Sequence, residues 1–175
     1  MTRMTVHLGD ITDLMVDAIV NAANESLAPG GGVCGAIHRA AGADLAVECA
    51  ALGHCPTGEA VITEGHNLAP TRIIHAVGPV WQGGGSGEAA LLALAYARSL
   101  QLAAQKGCRS VAFPAISTGI YGLPAEQAAR IAVNTVAGVL ASEPRIRQVI
   151  FCCFSEESAA LHQAALDQLE DPDVQ

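Results

Sequence analysis

Apolar residues fall into short runs that alternate with longer stretches of helical spacing. Thr5-Val6-His7-Leu8 predicts a short strand and Asp17 to Ala22 a second, buried one. Glu59 to Thr63 alternates apolar and polar, as a half-exposed strand does, and Arg72 to Val77 predicts another strand running into Gly78-Pro79. Ser110 to Phe113 reads as a core strand and Gln148 to Phe154 as the last one. Between them the period lengthens. Ala36 to Ala41 reads as the first turns of a helix, and Asp44 to Ala51 continues the pattern until Gly53. Glu88 to Lys106 predicts a long amphipathic helix stopped by Gly107, preceded by a flexible surface loop, Gly83 to Gly87. Pro124 should open the next helix at its first position, to about Ala141. Ser155, followed by Glu156 and Glu157, caps a final helix to about Leu169.

Strands and helices alternate, with crossovers long enough for parallel pairing. The expectation is an α/β fold: three layers, α/β/α, with helices on both faces of a mixed sheet. Residues 1–170 form one domain and 171–175 a disordered tail. Ligands of such open sheets sit beyond the C-terminal ends of the strands. Two glycine-rich loops leave strand ends here, at Gly30 to Gly35 and at Ser117 to Gly122.

Composition narrows the choice. The chain has 175 residues, 51% hydrophobic but only 3% aromatic, so alanine, leucine and valine must fill the core. The net charge is −8 and Lys106 is the only lysine, which excludes a basic stripe for a nucleic-acid backbone. An acidic chain can still hold a diphosphate if backbone N–H groups hold it. The six cysteines form no C-x-x-C pair, and Cys152 and Cys153 point to opposite faces of their strand. The N-terminus carries no apolar signal core and no stretch is apolar enough for a bilayer, so reduced thiols in a cytoplasmic protein are expected.

The loop after the second strand carries the chemistry. Asn21-Ala22-Ala23-Asn24 leads to Gly30-Gly31-Gly32-Val33-Cys34-Gly35, and a helix follows. Glycine lets a ligand approach the main chain, and the first N–H groups of a helix have no internal partner, so such a place suits an anion. Gly30 to Gly35 matches G-x-G-x-x-G, but Glu25 to Pro29 separates it from its strand and no acidic residue ends a second strand at the usual distance. There is no P-loop.

Gly9-Asp10-Ile11-Thr12, Val20 to Asn24, Gly30 to His38, His75 to Pro79 and Pro114 to Gly122 together resemble the macrodomain family, in its order and over nearly the whole chain. The likeness is to the branch that removes acetyl from O-acetyl-ADP-ribose and ADP-ribose from acidic side chains. The resemblance implies that Asp10 receives the adenine amino group beside Ile11, with Phe154 against the ring. It places Asn24 at the distal ribose, with Ala23 beside it at the ligand and Asn21 as a brace. It has Gly31, Gly32, Val33 and Ser117, Thr118, Gly119, Ile120 and Tyr121 wrap the diphosphate, Tyr121 also covering the ribose. His38 reads as a satisfied helix histidine. No cofactor and no membrane partner are implied, and a monomer is expected. Its partners are ADP-ribose, O-acetyl-ADP-ribose and mono-ADP-ribosylated proteins.

One residue departs from that branch. An aspartate commonly stands where this chain has Cys34. A thiol accepts hydrogen bonds poorly and does not replace a carboxylate as general base. Substrate phosphate orienting the water, Cys34 as nucleophile, and a domain that binds without turnover all remain open. Cys34 and His38 also stand at i,i+4, a spacing that suits two metal ligands, with Cys49, His54, Cys55 and His66 in other segments. The reading adopted is no metal, with Asn24 and Cys34 as the catalytic candidates in a hydrolase. The alternative is a non-catalytic ADP-ribose reader.

Overall fold

A computed structural model describes residues 3–170; the expected tail, 171–175, lies outside them. Among the described residues, β1 (Met4–Leu8), β2 (Ala18–Ala22), β3 (Ala60–Glu64), β4 (Arg72–Ala76), β5 (Ser110–Phe113) and β6 (Gln148–Cys153) form one sheet in the order β1-β6-β5-β2-β4-β3. Every pair is parallel except β3 with β4. The helices are α1 (Gly32–Ala41), α2 (Ala43–Leu52), α3 (Glu88–Gln105), α4 (Ala125–Ser142) and α5 (Glu156–Glu170). The mixed three-layer sheet expected from the alternation is what forms.

The apolar pattern divides the core in two. Against α3, α4 and α5 the sheet buries Val20, Ile74, Phe113, Val149 and Phe151, with Tyr96 of α3 packed on Phe113 at a centroid distance of 4.9 Å. Ala95, Ala103, Ala104, Ala128 and Ala132 let these helices lie close, as a core poor in aromatics requires. The opposite face is smaller: Ile19, Ile73 and Ala112 meet Ile37, Leu45 and Cys49 of α1 and α2. Each large side chain so buried stabilises the fold by roughly 1.5–3 kcal/mol. Cys152 and Cys153 do face opposite ways, Cys152 into the smaller core and Cys153 toward His162 of α5.

Two differences from the sequence reading matter for the site. Helix α1 starts at Gly32, not near Ala36, because Cys34, Ile37 and Ala41 make a buried stripe, with Val33 partly buried beside it, despite two glycines. Within it Gly35 is required by contact, since a methyl group there would lie 2.5 Å from the Gly30 carbonyl oxygen. The Gly83–Gly87 loop is not free: buried Glu88 accepts hydrogen bonds from the N–H groups of Gln82, Gly84 and Ser86. Smaller differences are a 3-10 turn at Ile11–Asp13, which the pattern did not predict, and Pro124, which stands at the N-cap of α4. Ser155 caps α5 as expected, through the Ser158 N–H.

The chain leaves β2 through α1 and α2 on one face and leaves β5 through α4 on the other. β2 and β5 are neighbours, so their outgoing loops diverge and a crevice opens between them.

Candidate functional site

A cavity of about 440 Å³ occupies that crevice. Ala23, Asn24, Gly31, Gly32, Val33 and Cys34 form one wall, and Ser117, Thr118, Gly119, Ile120 and Tyr121 the facing one. Gly78 lines it just past the end of β4, Cys152 from the end of β6, and Phe154 and Ser155 close it beyond that strand. None of the lining side chains is ionised. Its polarity is that of the main chain. Gly31 caps α1 without a side-chain bond, and the first turn closes only with Gly35 N–H to Gly31 O. The N–H groups of Gly32, Val33 and Cys34 therefore have no helical acceptor. On the facing loop, the N–H groups of Ser117 through Tyr121 find no backbone acceptor among the described residues. Ser117 holds a left-handed φ of 70°, rare for a residue with a side chain, and its buried Oγ has no partner. Gly78 makes this packing possible: a methyl group on it would overlap Ser117 Oγ and stand 2.5 Å from Ile116 Cγ2.

At the Asn24 end three groups converge. A methyl group on Gly30 would lie 3.8 Å from both Asn24 Nδ2 and Cys34 Sγ. The Asn24 amide braces its own turn: Oδ1 accepts from Ser26 Oγ at 2.8 Å and Ala28 N–H at 3.1 Å, while Nδ2 donates to Ala28 O at 3.0 Å. One Nδ2 hydrogen remains for a ligand. Cys34 is 6% exposed, with Sγ 3.8 Å from Ala28 O and 3.7 Å from Asn21 Nδ2. Asn21 is buried and braces the floor. Its Nδ2 donates to His75 Nδ1 at 3.0 Å, so Nε2 carries the His75 proton toward Thr63 Oγ1 at 2.9 Å. Burial, and secondarily the proximity of His38, pushes His75 down to about 4, so it is neutral at physiological pH.

The sequence reading placed Asp10 and Ile11 at the ligand, and neither lines the cavity. Asp10 caps the 3-10 turn, its Oδ1 accepting from Thr12 N–H at 2.9 Å and Thr12 Oγ1 at 2.7 Å. Ile11 is 1% exposed and packs in the smaller core. Phe154 lines the cavity and is 57% exposed, an aromatic face open to a ligand. Ile120 is exposed on the rim. His38 is not a satisfied helix histidine: it is buried, and its Nδ1 has no partner. Burial lowers its pKa. Sequence reasoning missed Asn21–His75–Thr63 as a network and Gly78 as a contact. The only signal was that Asn21, His75 and Gly78 lie inside motifs quoted for other reasons; Thr63 lies in none of them.

A profile of the Macro domain matches residues 20–132. The chain belongs to that family. A macro domain-containing protein of Chlorobaculum tepidum is 61% identical, over 90% of this chain and 91% of its own. A Citrobacter koseri protein named O-acetyl-ADP-ribose deacetylase is 55% identical, over 97% and 98%. Among solved structures, an Oceanobacillus iheyensis macrodomain variant with ADPR superposes with a TM-score of 0.89 at 40% identity, covering 94% of this chain and 92% of that one. A Trypanosoma brucei macrodomain in complex with ADP-ribose gives 0.89 at 38%, over 94% and 69%.

The thiols of this macrodomain do not gather into a metal centre: among the described residues no three His, Cys, Asp or Glu side chains form a metal-binding group. The other cavity thiol, Cys152 of β6, is held protonated. Burial, with the neighbouring Cys153, Asp10 and Asp13 adding, pushes Cys152 up to about 12. No helix among the described residues is long and apolar enough to cross a membrane.

Proposed function

We propose that this macrodomain binds ADP-ribose and hydrolyses O-acetyl-ADP-ribose, together with ADP-ribose esters on acidic side chains of proteins. The observation that carries the reading is the pair of facing loops whose free N–H groups meet across a cavity with no ionised side chain. Two such loops suit a diphosphate. The deacetylase name of the Citrobacter koseri relative supports the reaction, and the two ligand-bound neighbours support the ligand.

In this reading Phe154 stacks on adenine, and Asp10 Oδ2 accepts from its amino group, since Oδ1 is engaged by Thr12. The distal ribose lies at Asn24, Gly30 and Cys34, under Tyr121. Water attacks the acyl carbon, the bond from that carbon to the ribose oxygen breaks, and the oxygen takes a proton, leaving ADP-ribose and acetic acid. No side chain of the lining is a general base, so a substrate phosphate oxygen orients the water and Cys34 only shapes the pocket. The cavity is complete within one chain, so the proposed chemistry needs no second copy. Six free, buried cysteines support a reducing cytoplasm.

The missing carboxylate is also the observation that favours a second reading, a reader that holds ADP-ribose without turnover. A turnover assay on O-acetyl-ADP-ribose, run beside a calorimetric titration with ADP-ribose, separates the two. Acetate release is expected; tight binding without release makes the domain a reader, and no binding ends both readings.

A further inference from the structure

Behind the Ser117–Tyr121 wall lies a third glycine-rich loop, and it wraps an anion that belongs to the protein itself. Glu88 opens α3 and is 1% exposed. Its Oε2 accepts from Gln82 N–H at 3.0 Å and Gly84 N–H at 2.8 Å, and its Oε1 from Ser86 N–H at 2.6 Å. Gly83, Gly84 and Gly87 take φ values of 88°, 93° and 75°, the left-handed conformations that let the N–H groups of alternate residues turn inward. Those bonds, the one from Gln82 first, hold the Glu88 carboxyl down to about 2, so it stays ionised.

The clasp is connected to the cavity. Trp81, next to Gln82, donates its N–H to Tyr121 O at 2.7 Å. The Trp81 ring backs onto the clasped loop, since a methyl group on Gly84 would come 3.0 Å from Cη2. Tyr121 ends the run of free N–H groups, and beyond it Gly122 N–H bonds Gly119 O. A glycine-rich segment left to itself samples many conformations and fixes nothing. The carboxylate selects one of them, and with it the position of Trp81 N–H.

We propose that Glu88 is a positioning residue for the diphosphate loop: without touching ligand, it sets through Trp81 where Ser117 to Tyr121 present their N–H groups. The proposal rests on the reading that ADP-ribose occupies this cavity. Glu88→Gln tests it, because the amide keeps the shape and turns one acceptor into a donor facing N–H groups. The expected result is a folded protein whose ADP-ribose affinity falls roughly tenfold or more, while adenosine, which has no phosphate, binds as before. Trp81, the only tryptophan of the chain, supplies a second readout. Its emission should shift to the red in unliganded Glu88→Gln.

Each failure is distinct. A wild type that does not bind ADP-ribose removes the reading of the cavity, and this proposal with it. A binding wild type with an equally tight, folded Glu88→Gln overturns the role of Glu88 alone. Equal weakening of adenosine and ADP-ribose makes Glu88 a support of the whole fold and overturns positioning. Should Glu88→Gln not fold, hydrogen exchange on the wild type decides. ADP-ribose should slow exchange at Gln82, Gly84 and Ser86, whose N–H groups bond Glu88, and unchanged exchange there overturns the proposal.

Discussion

At the scale of single residues, Cys34 is where family likeness and chemistry part. Its thiol sits between Ala28 O and Asn21 Nδ2, in place of the carboxylate common in the hydrolytic branch. If substrate phosphate orients the water, Cys34→Ala keeps most of the turnover, since no base is removed. Cys34→Asp should raise turnover, because a carboxylate there gains the Asn21 N–H and can orient water itself. General bases contribute about 10²–10⁴-fold, of which a transplanted one recovers part. A folded, ligand-binding but inactive Cys34→Ala in the acetate-release assay would make the thiol a nucleophile instead. Asp10 needs a subtler substitution than removal, because its Oδ1 caps a turn. Asp10→Asn keeps the cap and presents an amino group to adenine. ADP-ribose should then weaken roughly 10- to 150-fold, the loss of a charged hydrogen bond, with little change in melting. Unaltered affinity by calorimetry would move adenine away from Asp10.

At the scale of elements, the central parallel strands were legible because buried strands write themselves as short, mostly apolar runs, and β5 was read at its observed limits. The two glycine-rich loops that wall the cavity were legible because glycine leaves little else to explain. What stayed hidden depends on partners distant in sequence. Nothing around Glu88 tells that its carboxylate folds back on the loop before it, so a clasped segment read as a flexible one. The start of α1 was hidden because Gly32 and Gly35 oppose helix by propensity, while burial of Cys34, Ile37 and Ala41 favours it. Gly78 was quoted only as part of a motif, yet it sets how close β4 and the Ser117 loop come. Gly78→Ala forces a methyl group into Ser117 Oγ and Ile116 Cγ2. Overpacking of this kind costs about 1–3 kcal/mol, so the melting temperature should fall. Ser117 must also retreat from its left-handed conformation, so ADP-ribose affinity should fall with it. A variant that melts lower but binds ADP-ribose normally would show the two loops to be uncoupled.

At the scale of the whole molecule, buried titratable groups set the acid limit of the fold. His75 lies at about 4 against an ordinary 6.5, through burial first, and burial lowers His38 and His162 too. Between those values the unfolded chain binds a proton that the folded chain refuses, so stability falls as pH falls from about 6.5 to about 4. His75 alone accounts for about 3 kcal/mol of that loss. Glu88, held near 2 by backbone N–H groups, and Glu143, lowered by Arg145, extend it: their contribution is present above the ordinary 4.5 and lost below it. Urea midpoints should therefore drop steadily on acidification from pH 7, and a flat profile between 7 and 4 would show that these histidines are solvated. Binding should behave differently with salt. The protein carries −8 overall, yet the cavity is lined by no ionised group and meets its ligand with fixed N–H dipoles. Added salt screens long-range repulsion between the acidic protein and an anionic ligand, and it has no lysine or arginine contact in the lining to compete with. ADP-ribose affinity should accordingly stay level or rise slightly between low and physiological ionic strength. A steep fall in the calorimetric titration would mean that a basic side chain reaches the diphosphate from outside the lining.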